Sequence, residues 1–292
     1  MEEFIEKLRA VLQDRFPTKQ IMVNNTTKVN DVTRAGIIIR DDNCMLSPIL
    51  YCDGYYGNYV EGRTLSDIAD EIVRLYNELP DDRPCVTEEL LDFEYVRDKI
   101  RIKLVNKEKN ADFLKGKPNR DFLDLAVVYY VDVSCDEDDQ LIYAFTIDNR
   151  LLSRWEMTES ELYEVAYDNT LRKSQFVIKD IIDYVGHMFP CGSLGDDERG
   201  FMYVASNKKL NYGAVYLLFE DNLKSFADEL KSDLIILPSS VHEVLILRNR
   251  EDRENLKEMV SVVNRDNVSL TEYLSDSVYI YDREKRELSF LS

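Results

Sequence analysis

The residues best suited to chemistry sit in LPSSVHEVLIL, Leu237 to Leu247. One of only two histidines, His242, is followed there by Glu243 and preceded by Ser239 and Ser240. An imidazole and a carboxylate make an acid–base pair when both reach the same reacting atom. If Val241 to Leu247 is a strand, alternate side chains point to opposite faces. Val241, Glu243, Leu245 and Leu247 then share one face, and His242, Val244 and Ile246 share the other. The pair cannot act together unless the backbone bulges. Both faces are otherwise apolar, so the first reading is a buried strand whose corner is held by Pro238 and the serine hydroxyls. The catalytic alternative gives Glu243 a raised pKa on its apolar face and makes His242 its partner in a small pocket. That alternative needs distant polar groups, such as Asn106, Asn169 or Asn207, to converge on the corner.

Other chemistries find less support. The second histidine is His187, so a three-histidine metal site cannot form, and Ile246 stands where H-E-x-x-H needs its second histidine. Cys191, His242 and Asn264 follow the chain order of one class of cysteine peptidase, but the sequence around Cys191 carries none of its signatures. Pro190 interrupts any helix that would align His187 with Cys191. Phosphate-loop, dinucleotide-binding and serine-elbow patterns do not occur. The acidic stretches Asp136 to Asp139 and Asp196 to Glu198 lack the alternating ligands and glycine of a calcium loop and read as solvated turns. No metal and no cofactor are expected.

A second candidate is a surface for recognition. GYYGNYV places Tyr55, Tyr56 and Tyr59 in what reads as a glycine-bearing loop. Exposed tyrosines there would supply binding area at small entropic cost. The competing reading packs them onto the helix that follows.

The elements that must position these residues follow from periodicity. MEEFIEKLRAVLQDRF is an amphipathic helix without the pattern of a signal peptide. Ile21 to Val29 and RAGIIIRDDNCMLSPILY read as strands, the latter two joined by a turn at Asp41 to Asn43. Thr64 caps a helix carrying Leu65, Ile68, Ile72 and Leu75, and Thr87 opens another through Leu90, Leu91 and Val96. Ile100 to Asn106 alternates like a half-buried strand, Leu123 to Val133 reads as a central strand, and QLIYAFTID completes its hairpin. Thr158 caps a helix reaching Leu171, and Ile178 to Val185 reads as a short helix. Beyond the glycine-rich stretch Pro190 to Gly200 come strands at Phe201 to Ser206, Ala214 to Phe219, Leu234 to Leu237 and Val241 to Leu247. Helices at Asn222 to Leu230 and Arg253 to Val263 and a closing hairpin, VYIYDREKRELSFL, complete the series. The pattern is α+β, with mostly antiparallel sheets and packed helices. It suggests an N-terminal region, residues 1–195, and a C-terminal region, residues 196–292, able to close into one compact unit.

Composition narrows the class. The 56 acidic and 37 basic residues leave a formal charge of -19, which repels nucleic acid and anionic membrane but suits a basic protein partner. No run of 18 apolar residues occurs, so no membrane span is expected. Cys44, Cys52, Cys85, Cys135 and Cys191 form no C-x-x-C pair, which points to reduced thiols and a cytoplasmic location.

SPILYCDGYYGNYVEGRTL, DLAVVYY, ELYEVAYDNT, YGAVYLL, LPSSVHEVLIL and VNRDNVSLTEYLSDSVYIYD together resemble a bacterial family of gut anaerobes that carries a domain-of-unknown-function label. The resemblance spans nearly the whole chain and implies a link to mobile elements but no catalytic residues. The function expected is a non-enzymatic, acidic, protein-binding or regulatory factor. The alternatives are an enzyme working near His242 and Glu243 and, last, a nucleic-acid mimic that occupies a basic protein's groove.

Overall fold

The computed structural model describes residues 1–27, 29–31, 33–40, 49–78, 88–134, 144–188, 199–238, 240–249, 264 and 268–291. The expected turn at Asp41 to Asn43, the cap at Thr87, the acidic turn at Asp136 to Asp139 and the helix at Arg253 to Val263 lie outside these residues. So do Cys44, Cys85, Cys135, Cys191 and the boundary at residue 195. The described part is an α+β fold that divides into two compact units, residues 1–97 with 132–144 and residues 98–131 with 145–292.

In the first unit, α1 (Glu2–Arg15) is followed by a three-stranded antiparallel sheet. Its strands β1 (Gln20–Thr27), β2 (Thr33–Arg40) and β3 (Ile49–Tyr51) pair in that order, with Gln20 opposite Arg40 and Gly36 opposite Tyr51. Helices α2 (Cys52–Val60) and α3 (Leu65–Asn77) follow. The core is built from Phe4, Leu8 and Leu12 of α1, Ile37 and Ile39 of β2, and Ile68 and Ile72 of α3. Thr64 caps α3 as expected, accepting the Asp67 N–H at 3.2 Å and donating its hydroxyl to the same residue's carboxylate. The single helix expected through Leu90, Leu91 and Val96 is broken at Asp92: Glu88–Leu91 is a 3-10 helix, and the short helix α4 (Phe93–Val96) starts from its own cap, the Asp92 carboxylate, which accepts the Glu94 N–H at 2.9 Å.

In the second unit, β4 (Ile100–Asn106) leads through α5 (Ala111–Leu114) to β5 (Asn119–Phe122), β6 (Leu125–Asp132) and β7 (Ala144–Thr146). The continuously apolar β6 is central, with β4 and β5 on its two sides. After α6 (Asn149–Arg154), α7 (Glu159–Lys173) starts from a reciprocal capping box between Thr158 and Glu161. Two side chains of α7 satisfy the outer edge of β4. Thr170 Oγ1 accepts the Ile102 N–H at 3.0 Å, and Asn169 Nδ2 donates to the Ile100 carbonyl at 3.2 Å. A helix thus covers a strand edge that would otherwise invite pairing.

The rest of the unit is a six-stranded antiparallel sheet. Its strands are β8 (Phe176–Asp180), β9 (Met202–Asn207), β10 (Leu234–Leu237), β11 (Val244–Arg248), β12 (Tyr279–Asp282) and β13 (Glu287–Phe290), with α8 (Ile181–Met188) after β8 and α9 (Glu220–Leu230) before β10. In space the order is β13-β12-β10-β11-β9-β8, so β8 and β9 pair directly on either side of residue 195.

Three other local expectations are corrected. Ile178 to Val185 is not all helix, because β8 runs to Asp180 and α8 begins only at Ile181. Ala214 to Phe219 is not a strand but a 3-10 helix, Gly213–Leu218, in which Gly213 to Leu217 are all buried. A short apolar run buried all round carries no period that separates the two. The strand at the LPSSVHEVLIL corner starts at Val244, leaving His242 and Glu243 in the turn before it. No helix among the described residues is long and apolar enough to cross a membrane.

Candidate functional site

The corner before β11 is fastened on three sides. The Val241 N–H donates to the Glu272 carbonyl at 2.8 Å, and the Ser275 N–H donates to the Pro238 carbonyl at 2.9 Å. The Ala214 N–H donates to the Val241 carbonyl at 3.3 Å, and Ser206 Oγ donates to the His242 carbonyl at 2.7 Å. Ser240 closes the turn itself, its hydroxyl oxygen accepting the His242 N–H at 3.0 Å. Every buried polar group named here has a partner, as a stable corner requires. The serine-stabilised turn expected from the sequence is present through Ser240.

His242 is set by two neighbours. Its Nδ1 accepts the backbone N–H of Tyr212 at 3.3 Å, and its ring stacks on that of Tyr212 with centroids 5.8 Å apart and planes 19° from parallel. Its Nε2 faces Glu272 Oε1 at 3.9 Å. Because a backbone N–H can only donate, Nδ1 must hold its lone pair, and the imidazole proton lies on Nε2. Burial pulls the imidazole below its usual pKa, while the Glu272 carboxylate pulls it back up. His242 is therefore held as a neutral donor. To take a proton at Nε2 as a neutral base, it would have to move its own to Nδ1, against the Tyr212 N–H.

Glu243 differs. Burial pushes its carboxyl above the usual range, the Ser240 hydrogen bond lowers it, and the charge of Glu272 raises it further. Tyr184 on α8 feels Glu243 in turn, its phenol pushed up first by burial and then by that carboxylate. Glu272, in a segment 30 residues beyond His242, thus faces both candidates.

Tyr212 is the residue the sequence reading passed over. It adopts a left-handed backbone, φ 53°, as does Leu210, φ 52°. A non-glycine residue there is strained and marks a position the surroundings over-determine. Asn207 does part of that work, its amide bonded to both the carbonyl and the N–H of Asn211 at 2.6 and 3.2 Å. The Tyr212 ring lies 5.3 Å from that of Tyr130, and Lys103 Nζ stands 5.2 Å from its centroid. Lys103 is buried on β4, with Phe113 also in range at 5.6 Å. The alternation of IRIKLVN put Lys103 on the face of Arg101, so nothing in the sequence signalled its burial.

Of the other residues singled out, Asn207 reaches the corner through the Tyr212 turn. Asn106 donates to the Leu274 carbonyl, Asn169 belongs to the α7–β4 junction, and buried Asn264 donates to the Ser275 carbonyl and Asp276. His187 falls on α8, while Asp196 to Glu198 lie outside the described residues. Among the described residues no three His, Cys, Asp or Glu side chains gather as a metal site. Cys52 is buried with its thiol pushed up to about 11 by burial.

The tyrosines of GYYGNYV are on a helix, not in a loop. Cys52, Tyr55, Tyr56 and Tyr59 recur at helical spacing on the face of α2 turned to the core, while Gly54 and Gly57 are exposed. The Phe4 ring of α1 meets Tyr56 at 5.5 Å and Tyr59 at 5.0 Å.

These features define an α+β protein with a fastened histidine–carboxylate corner in its larger unit. The model of a family of unknown function, DUF5688, matches residues 1–283, and the chain belongs to that family. No curated protein and no solved structure matches it.

Proposed function

We propose that this chain is a non-enzymatic binding or regulatory protein of the cytoplasm that engages a basic protein partner. The observation that carries the reading is the charge of -19, which attracts a basic surface over several ångströms and speeds encounter with it. The fastening of His242 as a neutral donor supports it, since that side chain serves the corner. Affinity purification of the tagged protein from nuclease-treated lysate of its host, repeated at rising salt, tests the proposal. One stoichiometric basic protein is expected, released as the screening length shrinks from about 10 Å to about 3 Å. Recovery of no stoichiometric partner at the lowest salt would sink it.

A second reading, an enzyme working through His242 and Glu243, is favoured by one arrangement. Glu243 is held toward its neutral form within the field of a second carboxylate, Glu272, which also stands 3.9 Å from the His242 imidazole, and shared charge of this kind is how acid–base groups are tuned. Incubation with a metabolite extract, comparing wild type with Glu243→Gln by mass spectrometry, tests it. Identical profiles would remove it.

A further inference from the structure

We propose that His242 is a proton-operated latch on the turn at residues 210–213. The imidazole has partners on two sides that want different protonation states. On one side Nδ1 accepts the Tyr212 N–H at 3.3 Å, which only a ring with a free Nδ1 lone pair can do. On the other, Glu272 stands 3.9 Å from Nε2 and rewards the imidazolium. Protonation places a second N–H against that of Tyr212, so the bond that closes the turn is exchanged for the ion pair with Glu272.

The turn is built to be released. Leu210 and Tyr212 both hold left-handed backbones that cost energy unless surrounding contacts impose them. Losing the His242 bond removes one such contact and loosens the stack of the Tyr212 ring on the imidazole. Gly213, wedged against Ser206 and the His242 carbonyl, remains as the fixed end about which the turn opens.

Several charged and titratable groups surround the imidazole. Glu272, half exposed, favours the proton. Lys103 on β4 is held over the Tyr212 ring at 5.2 Å, the same ring on which the imidazole stacks. Glu243 is the next residue and lies within the field of Glu272, and the phenols of Tyr130 and Tyr212 complete the surroundings. Burial outweighs Glu272, so the switch lies on the acid side of 6.5.

The test is a pH titration of the full chain by nuclear magnetic resonance, following the His242 ring and the Tyr212 amide together. The Tyr212 amide is expected to shift with the imidazole titration. Its exchange protection should fall by up to about tenfold for each pH unit between 6.5 and the imidazole's lowered folded pKa, and level off below that. In His242→Asn the amide oxygen stands where Nδ1 was and accepts without titrating, so protection should stay level across the same range. A Tyr212 amide that ignores the imidazole titration, a histidine that stays neutral until the fold itself is lost, or an Asn variant that keeps the pH dependence would each overturn the latch.

Discussion

Gly213 lies so close to His242 that a Cβ on it would stand 2.4 Å from the His242 carbonyl oxygen. The same atom would be 2.2 Å from Ser206 Oγ and 2.8 Å from Ser206 Cα. Two of these three neighbours are backbone atoms, so no rotamer change relieves the overlap. Gly213→Ala is expected to cost about 1–3 kcal/mol, as overpacking of a filled interior does. Urea unfolding measures it, and a midpoint equal to wild type would mean the corner and β9 are not held together as described.

Tyr59 separates packing from recognition on α2. Its ring meets Phe4 of α1 at 5.0 Å, and its neighbour Tyr56 meets the same ring. If that contact is what the aromatic face of GYYGNYV is for, Tyr59→Ala should lower stability by roughly 1–3 kcal/mol. A variant with unchanged thermal unfolding and weakened partner recovery would return the tyrosines to the role of contact surface.

Asp124 gathers three hydroxyls from the segment before and within β12. Ser275 Oγ donates at 2.5 Å, Ser277 Oγ at 2.9 Å, and the Tyr279 hydroxyl donates to the second carboxylate oxygen. Removing the acceptor strands donors that were paired, which costs more than the bonds themselves contributed. Asp124→Ala is expected to lose about 3 kcal/mol, and Tyr279→Phe, which deletes one donor and strands none, about 1 kcal/mol. Equal losses measured by chemical denaturation would contradict the cluster.

Much of this fold is legible in the sequence where a period or a cap is strong. Thr64 and Thr158 cap their helices through local chemistry that tertiary context does not override, while Ile100 to Asn106 is the strand its alternation indicates but is buried on both faces rather than one. Two of the departures have different reasons. In α2 the glycines suggested a loop, yet Cys52, Tyr55, Tyr56 and Tyr59 already stood at helical spacing; burial of that face outweighs the weak propensity of Gly54 and Gly57. In Gly213 to Leu218 no such signal existed, because burial on every side erases periodicity. The candidate corner was half visible. Ser240, His242 and Glu243 are contiguous, but Tyr212, Glu272 and Lys103 arrive from three other segments, and pairings of that separation leave no local trace.

Glu243 and His242 should tilt stability with pH in opposite directions. Glu243 has its folded pKa raised above 4.5, so the folded state holds that proton more tightly than the unfolded one. Its favourable contribution is present below 4.5 and is lost as pH rises through the raised folded value. At neutral pH the side chain is then a net cost to stability. His242 has its folded pKa lowered below 6.5, so its contribution is present above 6.5 and is lost as pH falls through the folded value. Gln has no charge to desolvate and keeps an oxygen for the Ser240 hydroxyl, so Glu243→Gln should be more stable than wild type at about pH 7 and match it at about pH 4. Urea midpoints of both proteins at the two pH values decide the matter. A variant less stable than wild type at neutral pH would show that the ionised carboxylate is rewarded at this corner, and that the Ser240 bond outweighs the burial.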